Sequence, residues 1–294
     1  MSASSFDSNE CDGGTGDGSF LTPAFPERIV CWFSCGAPSA AAAKIEIEEN
    51  ARRKNPLPLV VARIVVRNEH QDNDRFTKDC EKWLGVKILH LISEKYDGDI
   101  YNVYERERYI AGVAGASCTR LLKKAVREKY QQPGDLHVFG FYAEEADRLE
   151  DMREEYPGLL LGDPLIRRGI MQADCHAMIE RAGIRRPYMY ELGYNNNNCI
   201  GCVKGGLGYW NKVRVDFPWA FERMAIQSRE LNVKLIKRET RVDGKKVVTR
   251  LFLDELPEGV GHYPTEPAIE CGIACEAAER EMIRDEAKDE ECAV

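Results

Sequence analysis

Residues 29–33, Ile-Val-Cys-Trp-Phe, form an apolar run that stops at Ser34-Cys-Gly36 and gives way to an alanine-rich stretch, 40–49, with helical character. Run, turn and helix together make a strand–loop–helix unit. The unit recurs. A second buried-type run spans 59–66, and residues 78–84 read as helix, 87–91 as strand, 117–128 as helix and 136–141 as strand. Strands separated by helices predict an α/β fold built on a doubly wound, mainly parallel sheet.

Beyond residue 141 the pattern changes. Residues 173–182 and 219–231 read as helices with Cys199 on a loop between them, and 233–238 and 246–253, joined around Asp243-Gly244, read as a β-hairpin. Residues 1–27, with Asp12-Gly-Gly-Thr-Gly-Asp-Gly18, carry no apolar period and predict a disordered lead. The expected organisation is a lead (1–27), a folded body (28–240), a hairpin and cysteine segment (241–275) and a charged tail (276–294), the last parts forming a C-terminal helical and hairpin extension. There is no internal repeat.

The 294 residues include 11 cysteines, an odd number, and the chain starts Met-Ser-Ala-Ser-Ser-Phe-Asp, without the basic and apolar regions of a secretory signal. A disulfide scaffold is usually small and secreted, so reduced thiols, metal ligands and a cytoplasmic location are expected. No apolar run approaches the roughly 20 residues that cross a bilayer, so no membrane partner is expected. A net charge of −8 argues against a nucleic-acid binder held mainly by counterion release, although pairs such as Lys123-Lys124 and Arg185-Arg186 can hold phosphates. A small anion is the expected partner.

Two elements carry chemistry. In Phe33-Ser-Cys-Gly-Ala-Pro-Ser39 the small residues expose backbone N–H groups at a helix N-terminus, and Pro38 suits a first helical position, so Ser34, Cys35, Gly36, Ala37, Pro38 and Ser39 read either as a phosphate cradle or as a tight strand–helix turn. The second element is a set of thiols. Cys199-x-x-Cys202 lets two thiolates reach one metal, Cys118 offers a third sulfur if the fold brings it near, and Cys271 is left over as a nucleophile.

From here the chain resembles a family. Ser34-Cys-Gly-Ala-Pro-Ser39 is similar to the Ser-Gly-Gly-x-Asp-Ser pyrophosphate loop of adenine-nucleotide α-hydrolases, and more so to the looser Ser-x-Gly-x-x-Ser loops of phosphoadenosine-phosphosulfate (PAPS) reductases. Gly140 with Glu145 and Arg148, then Asp163-Pro-Leu165, Pro187-Tyr-Met-Tyr190, Gly193, Cys199-x-x-Cys202 and Glu270-Cys-Gly-Ile-Ala resemble that family's later landmarks in their order. The departures are Thr119 where cluster-bearing members have a second cysteine, Ala274 followed by Cys275 where the nucleophile motif ends in His, and Pro38 where the ATP-splitting branch has Asp.

The resemblance implies an adenine nucleotide alpha-hydrolase-like fold and an enzyme of sulfur metabolism. An adenosine phosphosulfate (PAPS or APS) would place its phosphates on residues 34–39, with Lys123 and Arg148 as counter-charges for the sulfate end. The Cys271 thiolate would attack sulfur, and a thioredoxin-like reductant would release sulfite. It also implies a 4Fe-4S cluster on Cys118, Cys199 and Cys202, with Cys275, Cys175, Cys35 or a non-protein group as the fourth ligand. Two alternatives stand beside this. One is an ATP-dependent, iron–sulfur sulfur insertase acting on a base or nucleic acid, which suits a three-cysteine cluster. The other is a catalytically inactive nucleotide- or zinc-binding protein, since Cys-x-x-Cys also builds structural zinc sites.

Remaining features read as structure. Cys31 and Cys80 are expected to pack in the core, and Trp83, Trp210 and Trp219 to pack rather than stack on bases. His70 reads as part of a solvated polar turn and His90 as a satisfied core histidine. The run Asn195 to Asn198 reads as a turn-forming loop, and the glycines after Lys204 either wrap a cluster or phosphate or serve as a flexible connection.

Overall fold

The structure is a computed structural model that describes residues 25–266, apart from 113, 114, 243 and 244, together with Ile269. In chain order the elements are β1 (Arg28–Trp32), α1 (Ala37–Ala51), β2 (Leu59–Ile64), α2 (Asp72–Leu84), β3 (Ile88–Leu91), α3 (Ile100–Glu107), β4 (Ala111–Gly112), β5 (Gly115–Ala116), α4 (Ala125–Tyr130) and β6 (Asp135–Val138). They continue with α5 (Ala146–Glu155), β7 (Leu160–Gly162), α6 (Gln172–Arg181), α7 (Tyr188–Glu191), α8 (Leu207–Asp216), α9 (Pro218–Glu230), β8 (Ile236–Val242) and β9 (Lys245–Leu251).

Strands β1, β2, β3, β6 and β7 form a five-stranded sheet in the order β3-β2-β1-β6-β7, with every neighbouring pair parallel. A parallel sheet is covered on both faces, and the strands show why. Ile29, Cys31 and Phe33 point to one face, into a core with α1, α2 and α6, while Val30 and Trp32 point to the other, with Leu149 and Met152 of α5. This is the α/β arrangement of a doubly wound sheet. Ala40 to Ala43 of α1 are all at most 1% exposed, and their small side chains let that helix lie close between the sheet and α6. At the strand bases, Arg28 grips Asp135 through two hydrogen bonds of 2.7 and 2.6 Å, tying β1 to β6.

A third core gathers α3, α8, α9 and the root of the β8–β9 hairpin around Tyr104, Trp210 and Met224, and it also holds Cys118, Cys199 and Cys202. The hairpin forms a sheet of its own, and β8 runs across the expected boundary at residue 240. Among the described residues no helix is long and apolar enough to cross a membrane.

Several expectations need correction. His90 is exposed, because β3 is an edge strand paired only with β2. Trp219 is 52% exposed, on the outer face of α9, whereas Trp210 is fully buried. The expected helix 117–128 is present and runs on to residue 130, with a π-helical stretch, Thr119–Lys124, leading into α4. His70 is half-buried rather than solvated: its Nδ1 accepts the Asp72 N–H at 3.1 Å and its ring lies 5.1 Å from that of Tyr188. Cys31 and Cys80 are buried packing residues, as expected. The lead up to residue 24, Cys271, Cys275 and the tail 276–294 lie outside the described residues.

Candidate functional site

In an open parallel sheet, ligands bind beyond the carboxyl ends of the strands where the strand order reverses. Here the reversal falls between β1 and β6, and a cleft opens there. Its floor is Trp32, Ala62, Ile64, Phe139 and Phe141, and its polar wall is Ser34, Gly36, Ser39, Lys123, Glu145, Arg148, Tyr190 and Asn196 to Asn198.

The β1–α1 turn is built by its own side chains. The Ser39 hydroxyl donates to the Gly36 carbonyl at 2.9 Å and accepts from the Ser34 N–H at 3.1 Å and the Ser34 hydroxyl at 3.2 Å. Gly36 caps α1, Pro38 sits in its first turn, and no acidic side chain lies in that turn, so the positive end of the helix dipole faces the cleft. Gly140, at the end of β6, lies against this turn. A Cβ there would stand 2.6 Å from the Ser39 nitrogen and 2.9 Å from the Pro38 carbonyl carbon, so glycine is what allows β6 to meet α1.

Six of the eight predicted nucleotide residues (Ser34, Gly36, Pro38, Ser39, Lys123 and Arg148) line the cleft. Cys35 and Ala37 do not: both side chains are fully buried in the core beneath the turn. Cys35 has φ of +58°, a left-handed conformation that costs on the order of 1 kcal/mol for a residue with a Cβ. The Asn197 side-chain amide holds its carbonyl at 2.8 Å, and its Sγ lies 3.5 Å from the Thr77 hydroxyl. Burial, helped by the charge of Glu69, pushes the Cys35 thiol up to about 12, so it is no thiolate at neutral pH.

The two cations of the cleft are held by carboxylates. Lys123 stands 3.8 Å from Glu69, which also lies 3.5 Å from the buried Arg63, and Arg148 pairs with Glu145 while covering the Phe141 ring at 5.4 Å. Two cations and two carboxylates among the lining residues balance. An anion here is therefore recognised by local geometry, through the helix N-terminus and re-paired cations, rather than by net charge.

The asparagine run, expected only as a turn, ties several segments together at the cleft. The side-chain amides of Asn196 and Asn198 both donate to the Ile269 carbonyl at 2.7 Å, the Asn195 N–H donates to the Tyr263 hydroxyl at 2.8 Å, and the Asn197 amide reaches Asn73 as well as Cys35. The Tyr190 hydroxyl accepts from the Asn197 N–H, and burial pushes that phenol up to about 12. Upstream, Glu266 caps α8 by accepting from the N–H groups of Gly208 at 2.5 Å and Tyr209 at 3.0 Å. Chain 261–266 packs so closely on this end of α8 that a Cβ on Gly208 would lie 2.4 Å from the Tyr263 nitrogen. The glycines after Lys204 thus dock the C-terminal segment, and Ile269 is delivered to the cleft. Four consecutive amides between Gly193 and Cys199 were the available signal, since each amide can donate and accept at once.

Cys118, Cys199 and Cys202 meet around one residue. The buried Tyr104 hydroxyl is raised well above its ordinary value, first by burial, then by the nearby charge of Cys118, Cys202 and Cys199. The Cys-x-x-Cys turn is closed by Tyr209, whose hydroxyl accepts from the Cys202 N–H at 2.8 Å and donates to the Cys199 carbonyl at 3.2 Å, while Gly201 takes φ of +75°. Among the described residues, no group of three or more His, Cys, Asp or Glu side chains stands in an arrangement that could hold a metal ion. Cys35 and Cys175, considered above as fourth ligands, belong instead to the core beneath α1, and burial pushes the Cys175 thiol up to about 12.

Comparison with protein-family models and with curated proteins finds no match to this chain.

Proposed function

We propose that this protein is a PAPS-reductase-like enzyme that binds an adenosine phosphosulfate in the cleft and reduces its sulfate group to sulfite through Cys271. One observation carries the reading: Ser34, Gly36, Pro38 and Ser39 of the turn, with Lys123, Arg148 and Ile269, line one cleft at the point of strand reversal. Ile269 precedes Cys271 by two residues, a length of chain that spans at most about 7 Å.

In this reading the phosphates take the N-terminus of α1, the apolar floor takes the nucleoside, and Lys123 and Arg148 turn from Glu69 and Glu145 to the sulfate. The Cys271 thiolate attacks the sulfur, forming an S–S bond as the S–O bond to the phosphate breaks, and the nucleotide leaves with that electron pair. A dithiol reductant then attacks Cys271 Sγ, expels sulfite and closes to a disulfide, supplying the two electrons.

The resemblance assigns a 4Fe-4S cluster to Cys118, Cys199 and Cys202, but among the described residues these side chains do not stand in an arrangement that could hold a metal ion, and no step of the proposed reaction passes through one. The three-cysteine set also suits a second reading, ATP-dependent sulfur insertion, which would form AMP from ATP with an acceptor.

The test is sulfite release from PAPS and APS by anaerobically purified protein with a dithiol. Cys271→Ser is expected to abolish release while leaving nucleotide affinity unchanged. Full release by that variant refutes the role of Cys271, and AMP formation from ATP without sulfite release favours the second reading.

A further inference from the structure

The β8–β9 hairpin stands apart from the rest of the chain in both charge and packing. Between residues 234 and 250 there are seven lysines and arginines against two acids, in a chain whose net charge is −8. Only the root of the hairpin is built into the core: Ile236 is 1% exposed and Leu251 packs beside it. From Lys237 outward, Arg238, Glu239, Arg241 and residues 247–250 are exposed.

The register concentrates this charge. Lys237 pairs with Arg250 and Arg241 with Lys246 as opposite positions. In an antiparallel ladder Lys237, Arg250 and Arg241, with Glu239 and Val248 between them, share one face. Glu239, between the two pairs, is ion-paired with Lys237 at 3.5 Å, and the face as a whole stays cationic. A polyanion is the charge-complementary partner for such a face.

We propose that the β8–β9 hairpin is a docking arm for duplex DNA. A two-stranded ribbon of seven-residue strands, about 23 Å long, fits the B-form major groove, which is about 12 Å wide, whereas the major groove of duplex RNA is too narrow to admit it. Single-strand binders stack bases on aromatic side chains, and residues 234–250 contain none. The exposed Thr249, together with the basic side chains, supplies phosphate and base-edge donors. The acidic remainder of the chain confines the contact to the arm. This surface is separate from the cleft and does not depend on the function proposed for it.

The experiment is fluorescence anisotropy of the full chain with a labelled 20-base-pair DNA duplex of mixed sequence between 50 and 200 mM salt. With about four phosphate contacts, log affinity falls with log salt at a slope of about −3.6, a roughly 150-fold loss over that range. Lys237→Ala with Arg241→Ala is expected to bring the slope to about −1.8 and the loss to roughly 12-fold, with thermal stability and cleft nucleotide affinity unchanged. Both side chains are exposed, so the variant tests contact rather than folding. The absence of binding at 50 mM salt, a variant slope equal to wild type, or equal or tighter binding of single-stranded DNA or duplex RNA overturns the proposal. So does self-association of the chain that the double variant abolishes, which would make the acidic body of a second copy the occupant.

Discussion

Replacing Gly140 by alanine tests the physical basis of the cleft. The added Cβ falls 2.6 Å from the Ser39 nitrogen, 2.8 Å from its Cα and 2.9 Å from the Pro38 carbonyl carbon, and ordinary contact begins at 3.4 Å. All three obstacles are backbone, so the first turn of α1 has to retreat by up to about 0.8 Å along the contact, or β6 has to bend. The helix has no slack, because Ala40 to Ala43 are packed at 1% exposure or less. Overpacking of this kind costs about 1–3 kcal/mol, which lowers the melting temperature of a domain this size by about 3–10 °C. Gly36 is the contrasting position. Its φ is −103°, and a Cβ there meets only Pro38, the Ser34 hydroxyl and the Tyr190 hydroxyl at 3.7–3.8 Å. Gly36→Ala is therefore expected to cost less than about 1 kcal/mol, from N-cap preference alone. Urea and thermal unfolding measure both, and calorimetric titration with APS measures the cleft, where Gly140→Ala is expected to weaken binding at least tenfold by displacing the Ser34–Ser39 bonds. A Gly140→Ala protein as stable as wild type, or less damaged than Gly36→Ala, refutes the reasoning.

Two further outcomes follow from single contacts. His137 is buried, its Nδ1 accepts the Trp32 indole N–H at 3.0 Å, and burial, assisted by Arg127, lowers it to about 4 from 6.5. The unfolded chain then binds more protons between pH 4 and 6.5, so stability rises with pH through that window, and about 3 kcal/mol is lost as pH falls through it. Urea midpoints from pH 7 to 5, above most carboxylate titration, are expected to fall for wild type and to flatten in His137→Phe; parallel profiles count against the assignment. Asn196→Ala with Asn198→Ala removes both hydrogen bonds to the Ile269 carbonyl, worth about 1–2 kcal/mol together. Limited proteolysis beyond residue 266 is expected to speed roughly 5- to 30-fold with the melting temperature of the body unchanged, and an unchanged cleavage rate shows that the amides do not secure the segment.

The sheet was legible because its strands are buried on both faces, so β1 and β2 read as continuous apolar runs, and α1 announces itself through alanine and Pro38. Four helices, α3, α5, α7 and α8, were not legible. In α5 only Leu149 and Met152 are buried among charged neighbours, and in α3 the buried Tyr101 and Tyr104 serve the cysteine core rather than the sheet. His90 was misplaced because an apolar run does not reveal whether a strand is central or at an edge.

The sequence by itself determined the fold class, the β1–α1 turn and the spacing of Cys199 and Cys202, since each depends on neighbours within a few residues. Only the tertiary structure decided that Ser34, Lys123, Arg148, Asn196 and Ile269 share a cleft, and that Cys35 turns away from it. Parallel strands place all their carboxyl ends on one edge, so residues more than 200 positions apart meet there. That convergence comes from strand order and the docking of 261–266 on α8, which no local pattern encodes.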